Sequence, residues 1–114
     1  MSHAYIEQFT THDKDRVTPG TKFDTTKVRP TLLLSSLARA VTEVSHVLTY
    51  GARKYSDDGW RLVDNGFDRY TDALYRHLLA EHMGEEHDDE TGLLHAAHTA
   101  ANALIRLELL LRQR

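Results

Sequence analysis

The sequence predicts an all-α fold: a small helical bundle of about three main helices with an irregular N-terminal arm. Apolar residues recur at helical spacing in three segments, and no segment alternates with the period of two that is typical of strands. The 114 residues suffice for one domain with a modest core. Because three such helices leave apolar faces uncovered, we expect homo-oligomerisation, to a dimer or tetramer, to complete the core.

The N-terminal residues 1–30 are polar and are predicted to form a flexible basic arm, with the helical domain over residues 31–114. A turn is expected at Pro19-Gly20, and the basic side chains that follow it are Lys22, Lys27 and Arg29.

The first helix is predicted from Thr31 to Thr49, where leucines and valines keep helical spacing. Pro30 suits its first turn because no intrahelical partner is needed for a backbone N–H there. Gly51 is predicted to cap its end. Residues 51–68 contain three glycines and scattered aromatic residues, and are expected to form a structured loop with room for a short helical turn.

The second helix is predicted from Arg69 to Met83, ending near Gly84. The acidic segment 84–92 follows. Thr91, or an aspartate before it, is expected to cap the third and longest helix, which extends to about Arg112.

Composition excludes several classes of function. The net charge of −3 and the pI near 6.2 argue against binding to a nucleic acid polymer, which usually requires a basic surplus. The absence of cysteine excludes disulfides, a thiolate zinc site and a cysteine nucleophile. The sequence shows neither a signal peptide nor a membrane span. We therefore expect a cytoplasmic protein.

Histidines mark the most informative part of the chain. His95, His98, Thr99 and Asn102 lie on one stripe of the third predicted helix, where an ordinary surface would carry lysine and glutamate. Neutral imidazole coordinates metals and protonated imidazole binds anions. If the second and third helices form an antiparallel hairpin, the acidic turn lies beside this stripe, with His77 or Glu81 facing it. Such a group can hold a divalent ion.

Simpler interpretations exist for the same residues. Buried histidines are often core residues that hydrogen-bond a carbonyl, although two at this spacing with an asparagine in line make that less attractive. For the acidic residues Glu86, Asp89 and Glu90 we favour a solvated turn that stabilises the following helix N-terminus.

A second group combines cations with aromatic rings. Lys54, Tyr55 and Trp60 follow the first predicted helix. Phosphates favour lysine and arginine, and a nucleobase favours a flat apolar face. Alternatively, the two rings close the end of the bundle while Lys54 stays solvated, an interpretation that composition alone slightly favours.

Four ordered blocks give the chain a resemblance to a known family. They are an arm with Gly20, Lys22, Asp24, Lys27 and Arg29; a leucine-rich helix ending in Tyr50-Gly51-Ala-Arg-Lys54-Tyr55, followed by Trp60; the segment Arg69-Tyr70-Thr-Asp72-Ala73-Leu74-Tyr-Arg76-His77-Leu78; and a last block with Gly84, Glu85, Asp88, Thr91, Gly92, Leu93, His95, His98 and Asn102. Over about residues 20–110 this pattern resembles the phage and bacterial dATP/dGTP diphosphohydrolases, which are related to the MazG-like all-α nucleotide pyrophosphatases.

The resemblance implies hydrolysis of a purine deoxynucleoside triphosphate to the monophosphate and pyrophosphate, with Mg²⁺ or Mn²⁺ held by carboxylates. This chain has His95-Ala-Ala-His98 where the MazG-like group has ExxD, which favours Mn²⁺, Co²⁺ or Zn²⁺ over Mg²⁺. The metal and catalytic residues expected are His77, Glu85, Asp88, His95 and His98.

The same resemblance suggests the substrate contacts. Lys54 and Arg76 are expected to hold the phosphates, with help from Lys22, Lys27 and Arg29. Tyr55 or Trp60 is expected to stack on the purine, and Asn102 to hydrogen-bond the sugar or base or to support a metal ligand. Two alternatives stay open: an HD-type phosphohydrolase centred on His87-Asp88, and a non-enzymatic helical module that binds a metal or a partner protein.

Overall fold

Three long helices and two short helical segments make up the part of the chain that the computed structural model describes, residues 19–113. This confirms the all-α prediction: within those residues the β-structure is limited to one isolated bridge, between His87 and Leu94. The chain divides after Ser36 into two compact units. The predicted arm lies partly outside the described residues, because residues 1–18 precede them.

The N-terminal unit contains turns and one short helix, α1, at Thr31–Leu34. Pro30 precedes α1 with φ −58°, as predicted for a proline at a helix start. The first helix is not continuous, since the chain leaves α-helical geometry at residues 35–37.

The second unit begins with α2, Ala38–Lys54. The prediction that Gly51 caps this helix is wrong, because the helix continues for three more residues. Ala52, Arg53 and Lys54 all favour helix, and the two cations also suit the negative end of the helix dipole.

A 3₁₀ turn at Gly59–Leu62 confirms the predicted short helical segment in the loop. Helix α3 spans Gly66–His82 and begins three residues before the predicted start. The residues that precede the two segments, Asp58 and Asn65, have positive φ. Aspartate and asparagine tolerate this left-handed conformation better than most residues.

Gly84 ends α3, close to the predicted position. Its φ is +96°, its N–H donates to the carbonyl of Glu81, and the N–H of Glu85 donates to the carbonyl of Ala80. This pair of bonds is a Schellman motif. It turns the chain sharply into the acidic loop.

Helix α4 spans His95–Arg112 and packs mainly on α3 and also on α2. Its buried face carries three apolar residues, Ala97, Ala101 and Ile105. Ala101 is only 2% exposed, so its small side chain sets the approach of the neighbouring helices.

Polar residues continue this buried face: His95, His98 and Asn102. On the opposite side Ala96, Ala100, Leu104 and Leu107 are exposed. No helix in residues 19–113 is long and apolar enough to cross a bilayer.

Candidate metal centre and cleft

The α3–α4 pair brings three imidazoles together. His77 extends from α3, and His95 and His98 extend from the first turn of α4. The Nδ1 atoms of His77 and His95 are 2.8 Å apart. The rings of His77 and His98 stack, with centroids 4.3 Å apart and planes inclined by 9°. The sequence predicted that His77 or Glu81 faces the stripe on the last helix; it is His77 that does so, while Glu81 is exposed.

The loop between the helices supplies two carboxylates to this cluster. Glu85 Oε1 lies 3.1 Å from Nε2 of His95, on the side of the ring away from His77. Asp88 Oδ2 accepts hydrogen bonds of 2.9 Å from both the N–H and the hydroxyl of Thr91. Asp88 also lies 3.8 Å from Nε2 of His98.

Three of these residues form a group that suits a divalent ion. His77, Asp88 and His95 each offer a ligand atom, and the three atoms lie within 4.8 Å of one another. Two nitrogens bound about 2.1 Å from one ion lie roughly 3 Å apart when the angle at the ion is near 90°. The 2.8 Å separation of the two Nδ1 atoms fits that arrangement. It also fits an N–H···N hydrogen bond when no ion is bound.

The protonation states favour metal binding. Burial, reinforced by the neighbouring His98, lowers the pKa of His77. Burial also lowers the pKa of His98, against the attraction of Asp88. Both imidazoles are therefore mainly neutral near pH 7, which is the form that coordinates metals. Burial alone would raise the pKa of Asp88, but the hydrogen bonds from Thr91 outweigh it, so the pKa is lowered and Asp88 is ionised.

A cleft of about 1060 Å³ opens beside the cluster, between the end of α2, the 3₁₀ turn, α3 and α4. His77, Asp88 and His98 lie on its wall. The predicted substrate residues of this unit line the same cleft: Lys54, Tyr55, Trp60, Arg76 and Asn102. One volume thus joins an imidazole–carboxylate end to a wall of cations and aromatic rings.

Comparisons with known proteins give the family of the chain. The family described as "dATP/dGTP diphosphohydrolase, N-terminal" matches residues 17–114. The chain belongs to this family.

The chain is also 41% identical over 91 residues to a protein of Salmonella phage PMBT28 named dATP/dGTP diphosphohydrolase. That alignment covers 80% of the chain and 30% of the phage protein, so this family member spans less than a third of its relative. No solved structure matches the chain.

The five residues predicted to bind metal or to act in catalysis lie in one cluster, but they contact different partners. His77, Asp88 and His95 form the ligand group, whereas Glu85 contacts the far nitrogen of His95. His98 contacts Thr91 through Nε2 at 2.7 Å. The individual roles of the five residues stay predictions.

The cations that were predicted to bind phosphate are divided between the two units of the chain. Lys54 forms an ion pair with Glu90 and lies 5.3 Å from the centre of the Tyr55 ring. Lys22, Lys27 and Arg29 belong to the N-terminal unit, and their contribution to substrate binding stays a prediction.

Two residues of the loop were missed as parts of the site. Glu90, which we assigned to a solvated turn, is exposed as expected but contacts both Lys54 and the Tyr50 hydroxyl. Thr91 does not cap the last helix, which begins at His95, four residues later; its hydroxyl instead contacts Asp88 and His98. The spacing Asp-x-x-Thr is a signal for such a side-chain turn, since aspartate readily accepts bonds from the residues that follow it.

Proposed function

We propose that the chain contributes a metal-dependent centre that hydrolyses a purine deoxynucleoside triphosphate, dATP or dGTP, to the monophosphate and pyrophosphate. The observation that carries the proposal is the group His77, Asp88 and His95, of which His77 and Asp88 line a cleft that Lys54 and Arg76 also line. The family to which the chain belongs and the name of its phage relative support the same chemistry.

The donor set supports a borderline or moderately soft divalent ion. Two imidazoles and one carboxylate suit Mn²⁺, Co²⁺ or Zn²⁺ better than Mg²⁺, which prefers oxygen ligands. Bound there, such an ion would neutralise charge on phosphate oxygens and supply an activated water. Glu85 would orient His95 by accepting a bond from its outer nitrogen, as carboxylates commonly do behind a metal-bound histidine.

The rest of the cleft supports binding of a polyanion with a flat organic group. A triphosphate carries about four negative charges near neutral pH, and its hydrolysis depends on positioning and charge neutralisation. Lys54 and Arg76 would hold the phosphates. Tyr55 and Trp60 offer rings for a purine.

Asn102 supports this arrangement from the floor of the cleft. It is 8% exposed, and its side-chain amide makes no hydrogen bond within the described part of the chain. No buried side-chain nitrogen or oxygen lacks a partner there, so the amide atoms keep access to the cleft. A nearly buried amide with an open donor and acceptor suits recognition of the sugar or base.

The alternatives have less support. An HD-type centre requires His87 beside Asp88 as a ligand, but His87 is exposed and lines a different cavity, of about 470 Å³, with Glu43 and Glu86. A module that only binds a metal or a partner would have no need of the cations and Asn102 beside the ligand group.

The decisive experiment is a panel of ribo- and deoxyribonucleoside triphosphates, each with Mn²⁺, Co²⁺, Zn²⁺ or Mg²⁺, with products identified by chromatography. We expect pyrophosphate and monophosphate from dATP and dGTP, and at least a hundredfold loss of rate in His95→Ala. Release of inorganic phosphate or triphosphate instead would favour the HD-type reaction, and metal binding without turnover would favour the binding module.

Self-association is also part of the proposal. In residues 19–113 only three apolar residues are buried, while Leu79, Met83, Leu104 and Leu107 are more than half exposed. Exposed apolar area of this extent is typical of surfaces that another subunit covers. Sedimentation velocity at several concentrations should give a dimer or tetramer; a monomer at all concentrations would contradict this part.

A further inference from the structure

Thr91 makes four polar contacts in the loop before α4. Its N–H donates to Asp88 Oδ2 at 2.9 Å. Its hydroxyl oxygen lies 2.9 Å from the same carboxylate oxygen and 2.7 Å from Nε2 of His98. The backbone N–H of Leu93 donates to that hydroxyl oxygen at 3.2 Å. The threonine therefore connects a residue of the ligand group to a histidine outside it.

The number of protons restricts how these contacts are made. A hydroxyl has one proton to donate and two lone pairs that accept. Asp88 is ionised and can only accept, so the hydroxyl proton lies on the bond to Asp88. The two lone pairs then accept from the N–H of Leu93 and from His98. This last bond requires a proton on Nε2 of His98.

We infer that Thr91 is a positioning residue that orients the Asp88 carboxylate and fixes the proton of His98 on Nε2. The inference rests on the proposed function in one respect, namely that Asp88 uses its other oxygen for a divalent ion. Neutral His98 then carries its lone pair on Nδ1. That atom makes no hydrogen bond within the described residues and keeps access to the cleft, because no buried nitrogen there is without a partner.

Asp88 and His98 are largely buried, so their contacts with the Thr91 hydroxyl have a larger effect than they would in solvent. The side chains of Asp88 and His98 are only 19% and 11% exposed, so water competes poorly for their polar atoms. Oδ2 receives both of its bonds from one residue, and loss of the hydroxyl removes one of them. Asp88 can then rotate, and His98 loses its hydrogen-bond acceptor, so that only the more distant Asp88 Oδ2, 3.8 Å from Nε2, still favours a proton on that nitrogen.

Loss of the hydroxyl should leave the loop folded. The main chain is held separately, because the N–H of Asp88 donates to the backbone carbonyl of Leu93 at 2.8 Å and the N–H of Gly92 donates to the backbone carbonyl of Asp88 at 2.7 Å. Valine has the shape of threonine without the oxygen. Thr91→Val therefore removes the side-chain contacts and keeps the backbone turn.

The test uses Thr91→Val, Thr91→Ser and the control Thr49→Val. Within residues 19–113 the Thr49 hydroxyl donates to the carbonyl of Ser45 on α2 and to no other group. Two measurements are made on each protein. Nitrogen-15 NMR of the histidine rings, without metal, reports the tautomer of His98. Titration with Mn²⁺, followed by electron paramagnetic resonance, gives the dissociation constant.

We expect the Nε2–H tautomer of His98 in the wild type, in Thr91→Ser and in the control, and a mixture of tautomers in Thr91→Val. We expect Mn²⁺ to bind about tenfold more weakly to Thr91→Val, as for other residues that support a metal ligand, and nearly normally to the other two variants.

An Nδ1–H tautomer in the wild type would overturn the inference, even if Thr91→Val failed to fold. Equal Mn²⁺ affinity and an equal tautomer in Thr91→Val and the wild type would also overturn it while leaving the proposed function intact. Failure of the proposed function is distinct: the wild type itself would then release no pyrophosphate, whatever the tautomer of His98.

Discussion

Replacement of Glu85 by glutamine separates two descriptions of the candidate metal centre. The sequence suggested that Glu85 is itself a ligand, whereas the structure has its carboxylate 3.1 Å from the outer nitrogen of His95. Loss of a group that supports a metal-bound histidine typically weakens metal affinity 10- to 100-fold. The Glu85 side chain is 48% exposed, so solvent weakens its effect. We therefore expect a dissociation constant for Mn²⁺ about tenfold higher, or about 1.4 kcal/mol.

The assay is calorimetric titration of Mn²⁺ into wild type, Glu85→Gln and the control Glu86→Gln. Glu86 is exposed on the same loop, and its side chain makes no hydrogen bond within residues 19–113. The control also corrects for the general effect of one negative charge, which the ionic strength should screen. Equal affinities in the two variants would refute a role for Glu85 behind His95. Complete loss of binding in Glu85→Gln alone would instead identify Glu85 as a ligand.

Three further predictions concern the cleft and the fold. Lys54→Met should raise the KM for dATP roughly tenfold with little change in kcat, because a binding charge is lost; an unchanged KM in steady-state kinetics would contradict this. Ala101→Leu should lower the free energy of unfolding by about 1–3 kcal/mol, because the larger side chain overpacks a buried site. The control Ala100→Leu, at an exposed site, should change the free energy of unfolding by less than about 0.5 kcal/mol. Equal urea midpoints for the two variants would contradict this. Gly84→Ala should lower the free energy of unfolding by about 1 kcal/mol, because Gly84 has a positive φ. Gly51 lies inside α2 with open space around an added carbon, so Gly51→Ala should raise the free energy of unfolding by about 0.5–1 kcal/mol. The melting temperatures of the two variants should therefore move in opposite directions.

Helical periodicity was sufficient to predict the fold class, and its errors lie at helix ends and at one break inside the first predicted helix. The α2 helix passes through Gly51 because a glycine permits a cap without enforcing one, and the residues after it favour helix. The end of α3 was predicted well because Gly84 adopts the positive φ that a Schellman motif requires. Periodicity could not reveal the break at residues 35–37, where no glycine or proline interrupts the sequence.

The residue types of the site were predictable because imidazoles on an apolar helix are unusual. The arrangement of these side chains could not be predicted, because it depends on which nitrogen of each histidine ring faces which neighbour. His95 uses Nδ1 toward His77 and Nε2 toward Glu85, a distinction of ring orientation that sequence spacing does not contain. The contact of Lys54 with Glu90 joins residues 36 positions apart, so it required the packing of α2 beside the loop.

All residues of the ligand group, with the histidine and threonine that support it, come from the single stretch between His77 and His98. The contacts that assemble the centre are thus local in sequence, a property associated with fast folding. Closure of one short loop between two adjacent helices is the main entropic cost of bringing these side chains together. Sequence inserted before α2 or after α4 would therefore leave the geometry of the centre unchanged.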